Sequence, residues 1–457
     1  MRFATDSDTA RSYPRWVVRL ARLVIAVFFR RIEVVGERHL EQLSGPVLFV
    51  ANHNNGLVDP VLVIGLLPGR PRFLAKSTLW RNPALRPFLA LGRVIPVHRR
   101  QDPGFDPERN EETFARCREV LAAGGSVALF PEGRSHSEPG RVELRTGAAR
   151  IVAGGREEEL AGTAIVPVGL LFDAGHRFRS AVLVRVGAPF RPREVVSGDG
   201  PETVRELTRR IAAALDEVTV SYPSWDEARL LERAVDIYLR ERPALPERPG
   251  LAERHRWLRG FLEAYRALRT EGPERVERLA RAVARYDRLL EAFGLSDAQV
   301  AAGYPGPAVR RWTLETLGLL GLLLPLAALG ALLSYPPYRA CGWLGSLVAR
   351  DPDQPASYKL FGGLVLFPAT WALEAAVVWR AVGPSWALTT LLTALLGSWA
   401  ALGFRDRWRL LREEGRGYLL LRSSGRLREE LVARREAIRE QLVLLVDEWR
   451  ETTAARS

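Results

Sequence analysis

The first half of the chain alternates short apolar runs with helix-like segments. The runs fall at 47–50, 72–75, 94–97, 127–130, 165–168 and 182–184. Each is short, rich in Val, Ile, Leu or Phe, and bounded by turn residues, as buried strands are. Segments such as 111–123 carry helical periodicity between them, and Gly124-Gly125 stops that helix before the next strand. Strand and helix in alternation predict an α/β domain with a central mixed sheet flanked by helices. Before it, 15–31 reads RWVVRLARLVIAVFFRR. That stretch is too short and too charged to span a bilayer, and its arginines suit an amphipathic helix lying at an interface.

The pattern changes after residue 222. From 225 to 302 the chain is rich in Arg, Glu, Leu and Ala at helical spacing, with breaks at 242–250 and at Gly272-Pro273. This predicts a helical insert of three or four helices with solvated charged faces. Three apolar blocks follow. Residues 316–335 and 386–404 carry no charge, and 360–379 carries only Glu374. Their lengths match the hydrocarbon thickness, so they are expected to be transmembrane helices. Tyr335, Trp379, Trp386 and Trp408 stand at block ends, where an aromatic belt would lie. Arg310 and Arg311 precede the first block, and Arg405, Arg407 and Arg409 follow the third. Three full spans cannot put both groups on one side. Either one block is re-entrant or interfacial, with the Pro325 block the candidate, or Arg380 lies in a turn between two true spans. The expected organisation is an interfacial helix over 1–31, an α/β domain over 32–222, a helical domain over 223–310, a membrane region over 311–407 and a cytoplasmic helix over 408–457.

Composition adds constraints. The 457 residues average out to a mean hydropathy of −0.06, which excludes a chain apolar throughout but not a soluble body joined to a membrane region. The net charge is +13, and all basic residues except Lys76 and Lys359 are arginine, a ratio that a GC-rich coding bias explains. The charge itself points to anionic lipid, acidic substrates or nucleic acid. No nucleic-acid motif is present, so that partner is not expected. Cys117 and Cys341 cannot build a disulfide framework or metal cluster. Residues 1–14 have no apolar core or cleavage signature of a secretory leader.

Chemistry concentrates where the 47–50 strand ends. Asn52-His53 is followed by the turn sequence Asn54-Asn55-Gly56, and then by Asp59-Pro60, which reads as a helix N-cap with Pro at the first position. His53 therefore sits at a strand's carboxyl end, where open α/β sheets build sites. If the loop bends back, Asp59 can hold one imidazole nitrogen and leave the other to take a proton. Asp59 as a plain N-cap is the alternative reading.

These residues resemble the first motif of the glycerolipid acyltransferases, the family that includes the 1-acylglycerol-3-phosphate and glycerol-3-phosphate acyltransferases. Most members have four residues between His and Asp; this chain has five, as do the fungal-type dual glycerol-3-phosphate/dihydroxyacetone-phosphate acyltransferases. Gly92-Arg93-Val94-Ile95-Pro96-Val97-His98-Arg99 is similar to the second motif, with one extra residue after the Gly. Phe130-Pro131-Glu132-Gly133-Arg134-Ser135 is similar to the third, without its usual Thr, and Ser135-His136 fits the fungal-type branch. Val166-Pro167-Val168-Gly169 is similar to the fourth, and 144–149 to the segment after the third. The resemblance covers roughly residues 30 to 220 and implies an O-acyltransferase. It would move an acyl group from acyl-CoA or acyl-carrier protein to 1-acylglycerol-3-phosphate or glycerol-3-phosphate. Dihydroxyacetone phosphate or another lysophospholipid is an alternative acceptor, and a non-catalytic lipid-binding protein that kept the fold is an alternative function. The resemblance implies His53 as general base with Asp59 orienting it, Arg99 and Arg134 on phosphate, Glu132 and Gly133 on glycerol, and no metal or cofactor beyond the thioester. Pro167 is left between the acyl groove and a strand-shaping role, and Glu132–Arg134 could be a structural ion pair. His136 reads as a satisfied turn residue rather than a second base. The implied location is the inner cell membrane, with the catalytic domain on its cytoplasmic face.

Overall fold

A computed structural model describes residues 13–41, 43–81, 83, 85–98, 107–154, 162–173, 178–195, 200–240, 250–302, 304, 306–348 and 354–456. It divides into two compact units, Met1–Ser221 with Leu344–Phe361, and Tyr222–Trp343 with Gly362–Ser457.

The first unit is built on seven strands: β1 (Phe29–Val35), β2 (Val47–Ala51), β3 (Arg72–Lys76), β4 (Ile95–Val97), β5 (Ser126–Leu129), β6 (Ala164–Phe172) and β7 (Ser180–Val186). Its helices are α1 (Arg15–Phe28), α2 (Arg38–Glu41), α3 (Val58–Leu66), α4 (Arg86–Leu91), α5 (Pro107–Ala122), α6 (Gly147–Ala153) and α7 (Pro201–Val218). The sheet order is β1-β7-β6-β2-β5-β3-β4. Only β6 and β7 pair antiparallel; the other neighbours are parallel. The mixed sheet expected from the sequence is therefore present.

Strand β2 runs through the middle, and all five of its residues are buried. An unbroken apolar run means that both faces are covered. Phe49 and Ala51 pack with Ile25, Phe28, Val58 and Leu62 on one side. Leu48 and Val50 pack with Phe114, Leu121, Ile151 and Leu207 on the other. Each large side chain so buried contributes about 1.5–3 kcal/mol. Strand period thus sorts one five-residue run into two cores.

One local reading is corrected. The amphipathic segment was expected to stay helical to Arg31, but α1 ends at Phe28 and the chain continues as edge strand β1. Residues 29–35 pair in parallel with β7. Ladder bonds to β7 outweigh a helical continuation that the apolar run alone suggested.

The second unit is helical: α8 (Trp225–Leu239), α9 (Leu251–Glu271), α10 (Pro273–Phe293), α11 (Asp297–Ala301), α12 (Gly306–Val348), α13 (Gln354–Ala381, entering this unit at Gly362), α14 (Pro384–Ser423) and α15 (Gly425–Arg456). The expected break at Gly272-Pro273 is there, whereas most of 242–250 lies outside the described residues. A buried polar tie joins the bundle. Asp297 Oδ1 accepts from Tyr286 Oη at 3.0 Å and from Arg435 Nε at 2.9 Å, while Arg435 Nη2 donates to the carbonyls of Ile237 and Arg240.

Among the described residues, three helices are long and apolar enough to cross a membrane: 306–343, 362–381 and 384–423. The Pro325 block is part of one helix, α12, which runs through Pro325, Pro336 and Pro337. Within it, Gly330 meets Gly397 of α14 so closely that a Cβ at residue 330 would lie 1.9 Å from the Gly397 carbonyl carbon. Such contacts of small residues are how apolar helices pack. Ser334 Oγ and Ser398 Oγ are 2.6 Å apart, and Trp371 Nε1 of α13 donates to Ser334.

Candidate active site

Strands β2, β3, β4 and β5 are mutually parallel, so their carboxyl ends share one edge of the sheet. His53 follows β2, Lys76 ends β3, His98 follows β4, and the Phe130–Arg134 turn follows β5. This edge gathers the sequence's candidate residues.

The loop after β2 does bend back. His53 Nδ1 lies 2.9 Å from Asp59 Oδ2. The same oxygen accepts the backbone N–H groups of Asn54 at 2.9 Å and Asn55 at 2.8 Å. Gly56, at φ +48°, makes the reversal without Cβ strain. The extra residue in the His-to-Asp spacing is thus absorbed in the turn. Asp59 is not the N-cap expected: α3 begins at Val58, with Leu57 in the cap position. The Asn55 carbonyl already accepts from Val58 N, so the first turn starts early and the carboxylate is released to the loop. Its location in the first turn is also favourable for a negative charge.

A carboxylate only accepts hydrogen bonds, so Nδ1 of His53 carries the proton and Nε2 holds a free lone pair. Asp59 is fully buried, while 18% of the His53 side chain stays exposed, enough for a reactant to reach the ring. Phe130 stacks on the imidazole at 4.1 Å between centroids and 12° between planes, and so fixes its orientation. Asn52 anchors the root of the loop: its amide donates to Leu170 O at 2.9 Å and accepts from Leu170 N at 2.7 Å.

Glu132 is buried, and its Oε2 takes two hydrogen bonds. One comes from the backbone N–H of His53 at 2.8 Å, the other from His136 Nε2 at 3.0 Å. The His136 tautomer follows from its other nitrogen, which accepts from Glu138 N at 3.2 Å. His136 N in turn donates to His53 O at 3.1 Å. His136 is therefore the satisfied turn residue that the sequence suggested, and it, not Arg134, is the partner of Glu132. Gly133 has φ +72°, and a Cβ there would press on Arg145 at 3.2 Å. Arg145 N holds the turn through Pro131 O at 2.7 Å.

Arg134 is exposed and forms no ion pair with a described residue, which leaves its guanidinium for an anion. Arg99 lies outside the described residues. Pro167 is buried within β6 beside Val50, and its carbonyl accepts from Gly187 N. Pairing to β7 begins one residue later, at Val168, so a missing N–H costs the ladder nothing there. Sequence reasoning missed Lys76 at this edge, although its rarity was a signal: it is one of two lysines and is half-buried at the end of β3. No group of three or more metal-ligating side chains occurs among the described residues.

Comparison with known proteins bears on this geometry. The acyltransferase family model matches residues 31–171, the stretch that holds the His53–Asp59 pair and the Glu132 turn. Residues 31–171 are an acyltransferase-family domain. Among curated relatives, Glycerol-3-phosphate O-acyltransferase 2 of Saccharomyces cerevisiae is 28% identical over 288 residues, covering 59% of this chain and 36% of the yeast protein. Glycerol-3-phosphate O-acyltransferase 1 of the same yeast is 25% identical, covering 57% of this chain and 34% of that protein. The chloroplastic 1-acyl-sn-glycerol-3-phosphate acyltransferase LPAT1 of Arabidopsis thaliana is 27% identical, covering 35% and 42%. The chain thus spans only about a third of the length of the yeast relatives it matches. Among solved structures, the 1-acyl-sn-glycerophosphate acyltransferase PlsC of Thermotoga maritima matches with a TM-score of 0.35 and 18% identity, over 45% of this chain and 77% of that one.

Proposed function

We propose that this protein is a membrane-bound glycerolipid acyltransferase. It transfers a fatty acyl group from an acyl thioester, acyl-CoA or acyl-carrier protein, to a hydroxyl of glycerol-3-phosphate or 1-acylglycerol-3-phosphate. The observation that carries this reading is the His53–Asp59 pair, with Nδ1 tied down at 2.9 Å and Nε2 left with its lone pair at the sheet edge.

In the proposed reaction, Nε2 takes the proton of the acceptor hydroxyl as its oxygen attacks the thioester carbonyl. The carbonyl–sulfur bond then breaks and the thiol leaves with that proton. Thioesters are already activated, so a base suffices and no acyl-enzyme is required. Asp59 keeps the imidazole in the correct tautomer and stabilises the imidazolium. Glu132 holds the His53 backbone through its N–H and so fixes where the ring stands. The acceptor's phosphate calls for cations; Arg134 and Lys76 supply them from neighbouring strand ends, and the second motif's Arg99 is assigned the same role by resemblance. Gly133 lets the acceptor's glycerol approach the backbone closely, and Glu132 borders the same turn.

The five-residue spacing between His53 and Asp59, like the printed names of the yeast relatives, favours glycerol-3-phosphate as acceptor. The three apolar helices favour work at a bilayer, into which acylated products must leave. Arg405, Arg407 and Arg409, which follow the third apolar block within α14, favour its inner, cytoplasmic face.

The test is free-thiol release from acyl-CoA by the reconstituted chain. Glycerol-3-phosphate, dihydroxyacetone phosphate and 1-acylglycerol-3-phosphate are offered in parallel. Release should depend on acceptor and should fall by more than ~100-fold in His53→Ala, as loss of a general base predicts. Undiminished release by His53→Ala would overturn the mechanism. Lipid binding without thiol release from any acceptor would leave a binding protein instead.

A further inference from the structure

The second unit contains a cleft that the proposed reaction does not use. It is a trough open to solvent between α8, α9, α10 and α15, with a cavity volume of about 90 Å3. Its walls are almost wholly apolar. Arg450 is the one charged residue among the described residues that line it.

Three observations say what the cleft is built to take. First, it is kept open by small residues: Ala234 on α8, Gly260 and Ala264 on α9, and Ala280 on α10. Gly260 lies in the interior of α9, where glycine weakens a helix. A Cβ at that position would meet nothing within 4 Å. Larger apolar side chains at these points would strengthen the bundle, since unfilled space forfeits packing contacts. Second, Arg450 stands over the indole of Trp257, 5.4 Å from the ring centre. Its nearest acid, Asp447, is 3.9 Å away with both side chains more than half exposed, so the guanidinium charge is hardly spent. Third, the bundle is continuous with the apolar helices, because α14 leads from the apolar block directly into α15. A lipid therefore has a source close by.

An apolar trough with one cation matches a ligand with one apolar tail and one anionic end. We propose that this cleft is a second lipid site, which holds a single long acyl chain with its carboxylate or phosphate head at Arg450. The site is separate from the His53 edge and does not depend on the reading of that edge as catalytic.

The experiment uses the full chain in phosphatidylcholine nanodiscs and palmitic acid carrying a mid-chain diazirine. After irradiation, adducts should map to peptides of α9 and α15. Gly260→Leu should cut that labelling at least ~10-fold, the factor that corresponds to about 1.4 kcal/mol. Leucine is the better helix former, so the variant is expected to keep its fold, as circular dichroism will show. Ala280→Leu fills the cleft from a different helix and should have the same effect. Unlabelled palmitate and 1-palmitoylglycerol-3-phosphate are compared as competitors, and the stronger one identifies the head group as carboxylate or phosphate. Arg450→Glu should weaken both anionic competitors but not methyl palmitate. Unchanged labelling in folded Gly260→Leu and Ala280→Leu would overturn the proposal. So would adducts confined to the apolar helices, or methyl palmitate competing as well as palmitate in the unaltered chain.

Discussion

Oδ2 of Asp59 accepts one imidazole N–H and two backbone N–H groups, so a single oxygen both orients His53 and closes the loop that carries it. Asp59→Asn keeps the size but removes the charge, and it can turn an amide N–H toward Nδ1. The imidazole would then hold its proton on Nε2, where no base remains. Thiol release should fall by on the order of 100-fold or more, with substrate affinity less affected. A rate within a few-fold of the parent would show that tautomer control is not what Asp59 provides. Asn52 is a purely structural counterpart. Asn52→Ala leaves the buried N–H and C=O of Leu170 without partners, and each costs about 1–3 kcal/mol. Denaturant unfolding should register that loss as a lower midpoint. The two sites differed in legibility. The His53–Asp59 meeting could be inferred because Asn54-Asn55-Gly56 permits a reversal. The Glu132 partner could not: Arg134 and His136 both stand within four residues of it, and only the fold turns His136 inward.

Alternation of apolar runs located six strands because each run is flanked by turn residues, and four of them, β2, β5, β6 and β7, are buried on both faces. It missed β1, since the helical pattern of 15–31 overlaps its start, and Phe29–Val35, with Arg30, Arg31 and Glu33, becomes a strand only by pairing with β7. Pro325 lies inside α12 without ending it, because among apolar helices neighbours can satisfy the freed carbonyl. Packing inside the elements can be probed directly. A Cβ on Gly397 would lie 2.6 Å from Gly330 Cα. Gly397→Leu must therefore separate α12 from α14, and the purified protein should melt at lower temperature, by an overpacking cost of about 1–3 kcal/mol. A parent-like melting curve would mean that the two helices do not touch there. In α5, burial pushes the Cys117 thiol from its ordinary 9.0 up to about 12. Below pH 9 the folded and unfolded thiols are both protonated and the burial costs nothing. As pH rises from 9 towards 12, only the unfolded chain ionises, so stability is lost. In a Cys341→Ser background, Cys117 should resist maleimide near pH 7 until the unit unfolds. Rapid labelling of the folded protein would contradict its burial.

A mean hydropathy near zero is the average of an α/β unit, a charged bundle and three apolar helices, which explains why composition alone could not reveal a membrane region. The helices also bear on where the arginines stand. Tyr304, just before α12, donates to Glu414 at 2.6 Å and packs on Tyr418, both late in α14. Further along α12, Gly330 and Ser334 meet Gly397 and Ser398, earlier in α14. Residue numbers rise on one helix as they fall on the other, so α12 and α14 are antiparallel. Arg310 and Arg311 therefore lie at the same end of this pair as Arg405, Arg407 and Arg409. The conflict noted for three full spans disappears if α12 and α14 cross in opposite senses and α13 does not make a complete crossing. The positive charge then gathers on one side of the pair, and the arginine bias invoked in the proposal above makes that side the one to test as cytoplasmic. Exposed Trp386, at the start of α14, belongs at the opposite face. Single cysteines at Pro307, Arg412 and Trp386, in a chain with Cys117 and Cys341 replaced by Ser, will check this with a membrane-impermeant maleimide. Pro307→Cys and Arg412→Cys should react together in inverted vesicles, and Trp386→Cys in right-side-out ones. Reaction of the first two from opposite faces would rule out the antiparallel crossing and return α13 to the count of full spans.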